Sequence, residues 1–234
     1  MTEELSLYVT AVERVRIEEF VNILRTPCES YQANSSFFNN AAFEAEFRSK
    51  LLTHHCFIGS PLFQESFDSA FISACRYAGY TVTLPADGNR FWDVCVNGMN
   101  ISLKSTKAAS LKEHELHISK LTEAAWIQDC RAAKTRQERT CDLFEKYISS
   151  VHSIIQLRYF KAKGLYELVE IPVALFNQVL EIEREQFAKD GPTINIPIGK
   201  SPPDFQLKLD RSDAKITVAR INKDLCSVHG TWRI

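Results

Sequence analysis

The stretch Arg90–Lys107, RFWDVCVNGMNISLKSTK, holds an aspartate, a serine and a lysine whose spacing brings them to one point of a β-hairpin. Asn97-Gly98 is a strong signal for a two-residue loop, because both positions take positive φ readily. With that loop, Val96 pairs with Met99 and, counting outward, Asp93 with Ser102. Directly opposed residues share a sheet face, and the period-2 alternation of a strand adds Lys104 to it. Phosphodiesters resist hydrolysis because their anionic oxygens repel a nucleophile and the leaving alkoxide is poor. A carboxylate, a lysine and a small polar residue at a sheet edge suit that reaction when a hard divalent cation assists it.

Neighbouring elements must hold this hairpin in place. Ser60-Pro61 introduces a helix expected over Leu62–Ala78 and closed by Gly79. Its apolar stripe runs through Phe63, Phe67, Phe71, Ala74, Cys75 and Ala78, with Glu65, Asp68 and Arg76 off it. Tyr80–Leu84 reads as a short strand, and Pro85-Ala86-Asp87-Gly88 as the turn into the hairpin.

Helix, strand, turn, Asp strand, hairpin and Lys strand is the element order of the PD-(D/E)xK nuclease superfamily. The chain resembles a type II restriction endonuclease of that superfamily, in its Ser-x-Lys form. Asp93 matches the first-strand aspartate and Lys104 the lysine. Arg90-Phe91-Trp92 replaces the usual preceding proline, and Ser102 stands at the second acid. The resemblance implies an α/β fold with a mixed central β-sheet flanked by helices, a restriction-endonuclease-like core and a C-terminal β-rich segment. It also implies Mg²⁺-dependent hydrolysis of double-stranded DNA at a palindromic site by a homodimer, in a bacterial or archaeal cytosol. By the same resemblance the metal is held by Asp93, the Leu103 carbonyl and a glutamate imported from the preceding helix, for which Glu65 is the best match. Glu113 and Glu115, soon after the lysine strand, are its rivals. Ser102 would hold a water of the metal shell, while Lys104 orients the attacking water and stabilises the pentacovalent phosphate. Two other functions fit the same core: a DNA repair or junction nuclease, and an inactive nuclease-like DNA-binding module, which the missing second acid allows.

Along the rest of the chain, residues 5–25 carry a helical apolar stripe from Leu5 to Leu24, ended by Thr26-Pro27. An Asn- and Ser-rich loop follows, and helical character resumes over Ala41–Leu52. If Glu113–Ile118 is a strand, Leu116 and Ile118 face inward. Ser119 is expected to cap a long helix through Trp126 whose later part is basic, with a second helix over Leu143–Tyr159. A helix N-terminus and its basic stretch suit DNA phosphates, which nominates Ser119, Lys120, Arg131, Lys134 and Arg136. Leu165–Pro172 reads as a strand, Ala174–Phe187 as an amphipathic helix ending before Asp190-Gly191-Pro192, and the chain from Ile194 as β. The hairpin around Asp210–Lys215 is the candidate for reading bases in the major groove through Arg211, Ser212, Asp213 and Lys215; His229, Thr231 and Arg233 are weaker candidates.

At 234 residues and 45% apolar composition, the chain is expected to form one nuclease domain. Within it, residues 1–60 would be a helical part, 61–172 the catalytic core and 190–234 the DNA-recognition part. Net charge is −1 overall, but residues 1–100 hold 7 Lys+Arg against 12 Asp+Glu, and residues 101–234 hold 21 against 17. The DNA face is therefore expected mainly in the second half. The acidic N-terminus does not read as a signal peptide, and no stretch approaches the roughly 20 apolar residues of a membrane span. Seven scattered cysteines without CxxC spacing suit reduced thiols in a cytoplasm. Adjacent His54-His55-Cys56 are poorly placed to ligate one ion together, and His114-Glu115-Leu116-His117 lacks the HExxH spacing of a zinc helix.

Overall fold

A computed structural model describes residues 9–189 and 191–234. The first part of the expected N-terminal helix, with Leu5, lies outside the described residues, as does Asp190. Helix α1 spans Ala11–Leu24 and starts at a capping box in which Thr10 and Glu13 bond each other's backbone. Strand β1 is Glu29–Gln32, inside the stretch expected as loop. Helix α2 is Ala41–Leu52, capped by the Asn40 carboxamide, and α3 is Glu65–Tyr77. Helix α3 begins three residues later than expected because Gln64 has φ 51°, outside the helical region. It ends as expected, at Gly79 with φ 82°.

Three short strands then form the hairpin region: β2 Val82–Thr83, β3 Val94–Val96 and β4 Met99–Thr106. The expected register holds, with Val96 opposite Met99 and Val94 opposite Ile101. The ladder stops one residue short of Asp93, which stays attached through its N–H to the Ile101 carbonyl at 2.9 Å.

The next segment departs from expectation. Residues Glu115–Glu123 form strand β5, so Ser119 and Lys120 lie in a strand and Ser119 caps no helix. Leu116 and Ile118 are buried, as the alternation required. Pairing of Ile118 with Val218 and of Thr122 with Ile216 overrides the local capping signal. After a single turn at Trp126–Asp129 comes helix α4, continuous over Ala133–Ser150. The second expected helix divides there. Its first half belongs to α4, and its second half is strand β6, Ser153–Phe160, buried at every residue. A strand covered on both faces carries no period-2 pattern, so its apolar run mimics a helix.

Strand β7 is Leu165–Pro172, and the expected helix over 174–187 is two 3₁₀ runs, Val173–Glu181 and Arg184–Phe187. The remaining strands are β8 Thr193–Ile198, β9 Phe205–Asp210, β10 Lys215–Asn222 and β11 Ser227–Arg233.

The strands make a seven-stranded mixed sheet, β1-β11-β7-β6-β4-β3-β2, and a four-stranded sheet, β5-β10-β9-β8. Within the large sheet β4 and β6 are parallel, joined by a crossover that carries β5 and α4. On one face, Ile101, Leu103, Ile155 and Leu157 pack with Phe43, Phe47, Phe67 and Phe71 of α2 and α3. On the other, Ile154, Val169 and Ile171 pack with Phe144 and Tyr147 of α4 and the inner face of the small sheet. The hairpin is thus clamped between two cores at its root and leaves its polar edge open.

Candidate active site

Asp93 ends up at that open edge because β3 begins only at Val94, whose side chain and that of Val96 anchor it in the core. Its Oδ2 accepts the Leu103 N–H at 2.6 Å and the Ser102 hydroxyl at 3.3 Å. Lys104 Nζ donates to Ser102 Oγ at 2.8 Å and to the Leu103 carbonyl at 3.0 Å, and lies 3.7 Å from Asp93 Oδ2. The convergence expected of Asp93, Ser102 and Lys104 is present. The Lys104 ammonium thus lies between the Leu103 carbonyl and Asp93.

Helix α3 brings a further carboxylate, Asp68, within electrostatic reach of Asp93 and Lys104. This half-buried group is pushed up to about 7, first by burial and then by the charge of Asp93, with Lys104 acting in the opposite sense. By sequence Asp68 stands merely off the apolar stripe. The one signal for it is its position a turn after Glu65, on the same polar edge of the helix. Glu65 is exposed at the start of α3 and lines a different cleft with Lys50, His54 and Ser73. The rival glutamates are engaged elsewhere: Lys163 holds Glu113 at 2.5 Å and Lys112 holds Glu115 at 3.1 Å.

Beneath the serine, the Tyr147 hydroxyl of α4 is buried next to Ser102 and feels the charge of Asp93. It completes no hydrogen bond with a protein group. Burial raises its pKa, and the Ser102 hydroxyl opposes that shift. The Phe91 ring lies edge-on against Tyr147 at 5.6 Å, fixing the approach to Asp93 from the preceding turn.

Lys104 opens into a cleft of about 320 Å³ lined by Asn89, Arg90, Lys120 and Leu121–Glu123. Arg90 bridges its two walls by donating to the Glu123 carbonyl at 3.0 Å. Ser119 and Lys120 are exposed on β5, and Arg131 and Lys134 are exposed at the start of α4. Arg136, nominated with them, is 2% exposed. It donates to the Cys130, Phe187 and Lys189 carbonyls, so it ties α4 to two loops and has no face for DNA. Arg211 also turns inward, to the Gly191 and Cys130 carbonyls. Ser212 and Asp213 are exposed at the hairpin tip, and Lys215 bonds Asp213 at 2.5 Å. That tip adjoins the cleft wall, since Ala124 N–H donates to the Ala214 carbonyl at 2.7 Å.

Comparison with known proteins decides what this arrangement belongs to. Residues 9–234 match the SmaI family, described as type II site-specific deoxyribonuclease. The chain belongs to this family. It is a restriction endonuclease, a hydrolase of DNA. Over 217 residues it is 27% identical to the type II restriction enzyme SmaI of Serratia marcescens, covering 87% of this chain and 84% of that protein. No solved structure matches it. Among the described residues no helix is long and apolar enough to cross a membrane. The donors around Asp93 suit the hard cation that such hydrolysis calls for: two carboxylates and a carbonyl, all oxygen, leave room for the waters that Mg²⁺ retains. Among the described residues no group of three His, Cys, Asp or Glu side chains could hold a metal by itself.

Proposed function

We propose that this restriction endonuclease cuts a palindromic DNA site as a Mg²⁺-dependent homodimer, with Asp93, Asp68 and Lys104 at the reacting phosphate. The observation that carries the reading is Lys104, which lies 3.7 Å from Asp93, within electrostatic reach of Asp68, and lines a cleft edged by Arg90 and Lys120. Asp93, Asp68 and the Leu103 carbonyl would hold Mg²⁺, which when bound neutralises phosphate charge and lowers the pKa of water. Lys104 orients the attacking water and stabilises charge developing on the phosphate oxygens. Ser102 contributes no charge. Its hydroxyl accepts from Lys104 and donates to Asp93, which fixes the angle between lysine and carboxylate. Lys120, Arg131 and Lys134 are positioned for backbone phosphates, and Ser212, Asp213 and Lys215 for base edges.

Support for the dimer comes from α1, which buries none of its residues and leaves Val12 71% and Val15 54% exposed. A palindrome is read most simply by a twofold pair. The cytoplasm suits seven free thiols.

Incubation with mixed-sequence DNA and Mg²⁺ should give discrete fragments sharing one end sequence. Asp93→Asn and Lys104→Ala should each lower cleavage by about 100-fold or more. Asp68→Asn should do the same, while Glu65→Gln stays near wild type. The reverse order of those last two would return the metal to Glu65. Sedimentation should give a dimer that Val12→Glu weakens; a monomer that still cuts both strands would remove the twofold reading.

A further inference from the structure

A second cleft, of about 430 Å³, is lined by His55, Gly59, Ser60, Pro61, Lys107, Tyr159 and Lys161. It sits at the C-terminal end of the parallel pair β4 and β6. Their ladder runs to Thr106 opposite Arg158; Lys107 follows β4 directly and Lys161 follows β6. Lys104 at the candidate active site is three residues upstream of Lys107, about 10 Å at extended rise.

The charges here are uncompensated. Lys112, Lys120, Lys163 and Lys223 each meet a glutamate. Lys107 and Lys161 meet no carboxylate among the described residues, and no acidic side chain lines their cleft. The Lys107 ammonium rests 4.5 Å over the Phe63 ring, a contact that seats the cation without neutralising it. His55 is braced by the Tyr166 hydroxyl at 3.2 Å and by the Tyr159 ring, so the cleft wall is built rather than frayed. Two cations facing one concavity repel each other until an anion from outside joins them.

We propose that this cleft binds a backbone phosphate of the strand being cut, next to the scissile one. The proposal rests on the active site being at Asp93 and Lys104. Phosphate is the anion favoured because Lys107 follows on the strand that carries the catalytic lysine, about 10 Å along it, a distance within which DNA at Lys104 presents a further backbone phosphate.

The test is binding of a short duplex without divalent cations, followed by fluorescence anisotropy over a salt series. Wild type and Lys107→Gln/Lys161→Gln should differ in salt slope by about 0.9 for the one phosphate left unneutralised in each protomer. Lys146→Gln, at the far end of α4, should leave the slope unchanged. A methylphosphonate beside the mapped cut position should weaken wild-type binding and have no further effect in the double variant. The single variants, each expected to lower the slope by part of that amount, replace the double if circular dichroism shows it unfolded. An unchanged slope in folded variants overturns the proposal. So does inorganic phosphate stabilising the wild type alone while the DNA slopes coincide, which would make the cleft a small-anion site. Wild-type cutting at discrete sites together with coincident slopes removes only this proposal. Undiminished cutting by Lys104→Ala would remove the catalytic reading beneath it.

Discussion

The Ser102 hydroxyl stands between opposite charges, accepting from Lys104 and donating to Asp93, with the Tyr147 phenol buried behind it. An acid at this position would add negative charge. A serine instead offers a neutral relay whose rotamer must be held, and Tyr147 is the group placed to hold it. Tyr147→Phe keeps the packing against Phe91 and Phe176 and removes only the hydroxyl. Loosening of the Ser102 rotamer by about 1 kcal/mol should lower turnover roughly fivefold with KM unchanged. In Ser102→Ala the same change should have no further effect, because the relay is already gone. Full turnover with a lowered Tm would assign the phenol to packing alone. At this scale Asp93, Ser102 and Lys104 are legible in the sequence because a hairpin register is local. Asp68 is not, because a helix edge becomes a site only when another element docks against it.

Among the elements, α4 shows how a basic stretch can mislead. Of the cations nominated on or just before it, Arg131 and Lys134 are exposed, while Arg136 is folded under and directs its guanidinium to three carbonyls. Arg136→Ala leaves those acceptors buried and unpaired, so stability should fall by about 3 kcal/mol, or roughly 10 °C in Tm. Arg136→Lys should recover little, since an ammonium cannot reproduce the planar fork. The salt slope of DNA binding should be unchanged in either variant. A flatter slope at intact Tm would restore Arg136 to the DNA face. Strands β5 and β6 escape a helix-based reading for a related reason. The partner of β5, β10, lies far away in the sequence, and β6 lies buried between β4 and the neighbouring β7, so pairing outweighs the local capping and helical signals.

Across the whole molecule, the first and last strands meet at the edge of the large sheet. Strand β1 pairs with β11, and His229 bridges the Ser36 hydroxyl at 2.7 Å and Glu170 Oε2 at 2.8 Å. Glu170 also accepts from the Ser153 hydroxyl. Its carboxyl is held below the usual range, chiefly by His229, against the opposing effect of burial. A depressed folded pKa gives stability that is complete above the unfolded value, near 4.3, and is lost as pH falls through the folded value. Glu170→Gln should therefore cost about 1 kcal/mol at neutral pH, or roughly 3 °C, with the two melting curves converging in acid. A gap that persists below both pKa values would mean that charge is not its source. Between the sheets, the buried Arg158 bonds Glu167 at 2.8 Å and also donates to the Lys112 and Glu115 carbonyls, securing the entry to β5. Neither charge could be left there without the other.

The sequence by itself determined the hairpin, its register, the Asp-Ser-Lys convergence and the strand pairs near the C-terminus. Each depends on residues close in the chain, on turn chemistry and on period-2 alternation. Tertiary structure decided that Asp68 comes within electrostatic reach of Asp93 and that β5 leaves the large sheet for the smaller one. It also decided that Arg136 and Arg211 serve the interior, while Lys107 and Lys161 face one cleft. Those outcomes turn on which faces meet after packing, and burial and charge balance across an interface have no signature in the spacing of a single strand or helix.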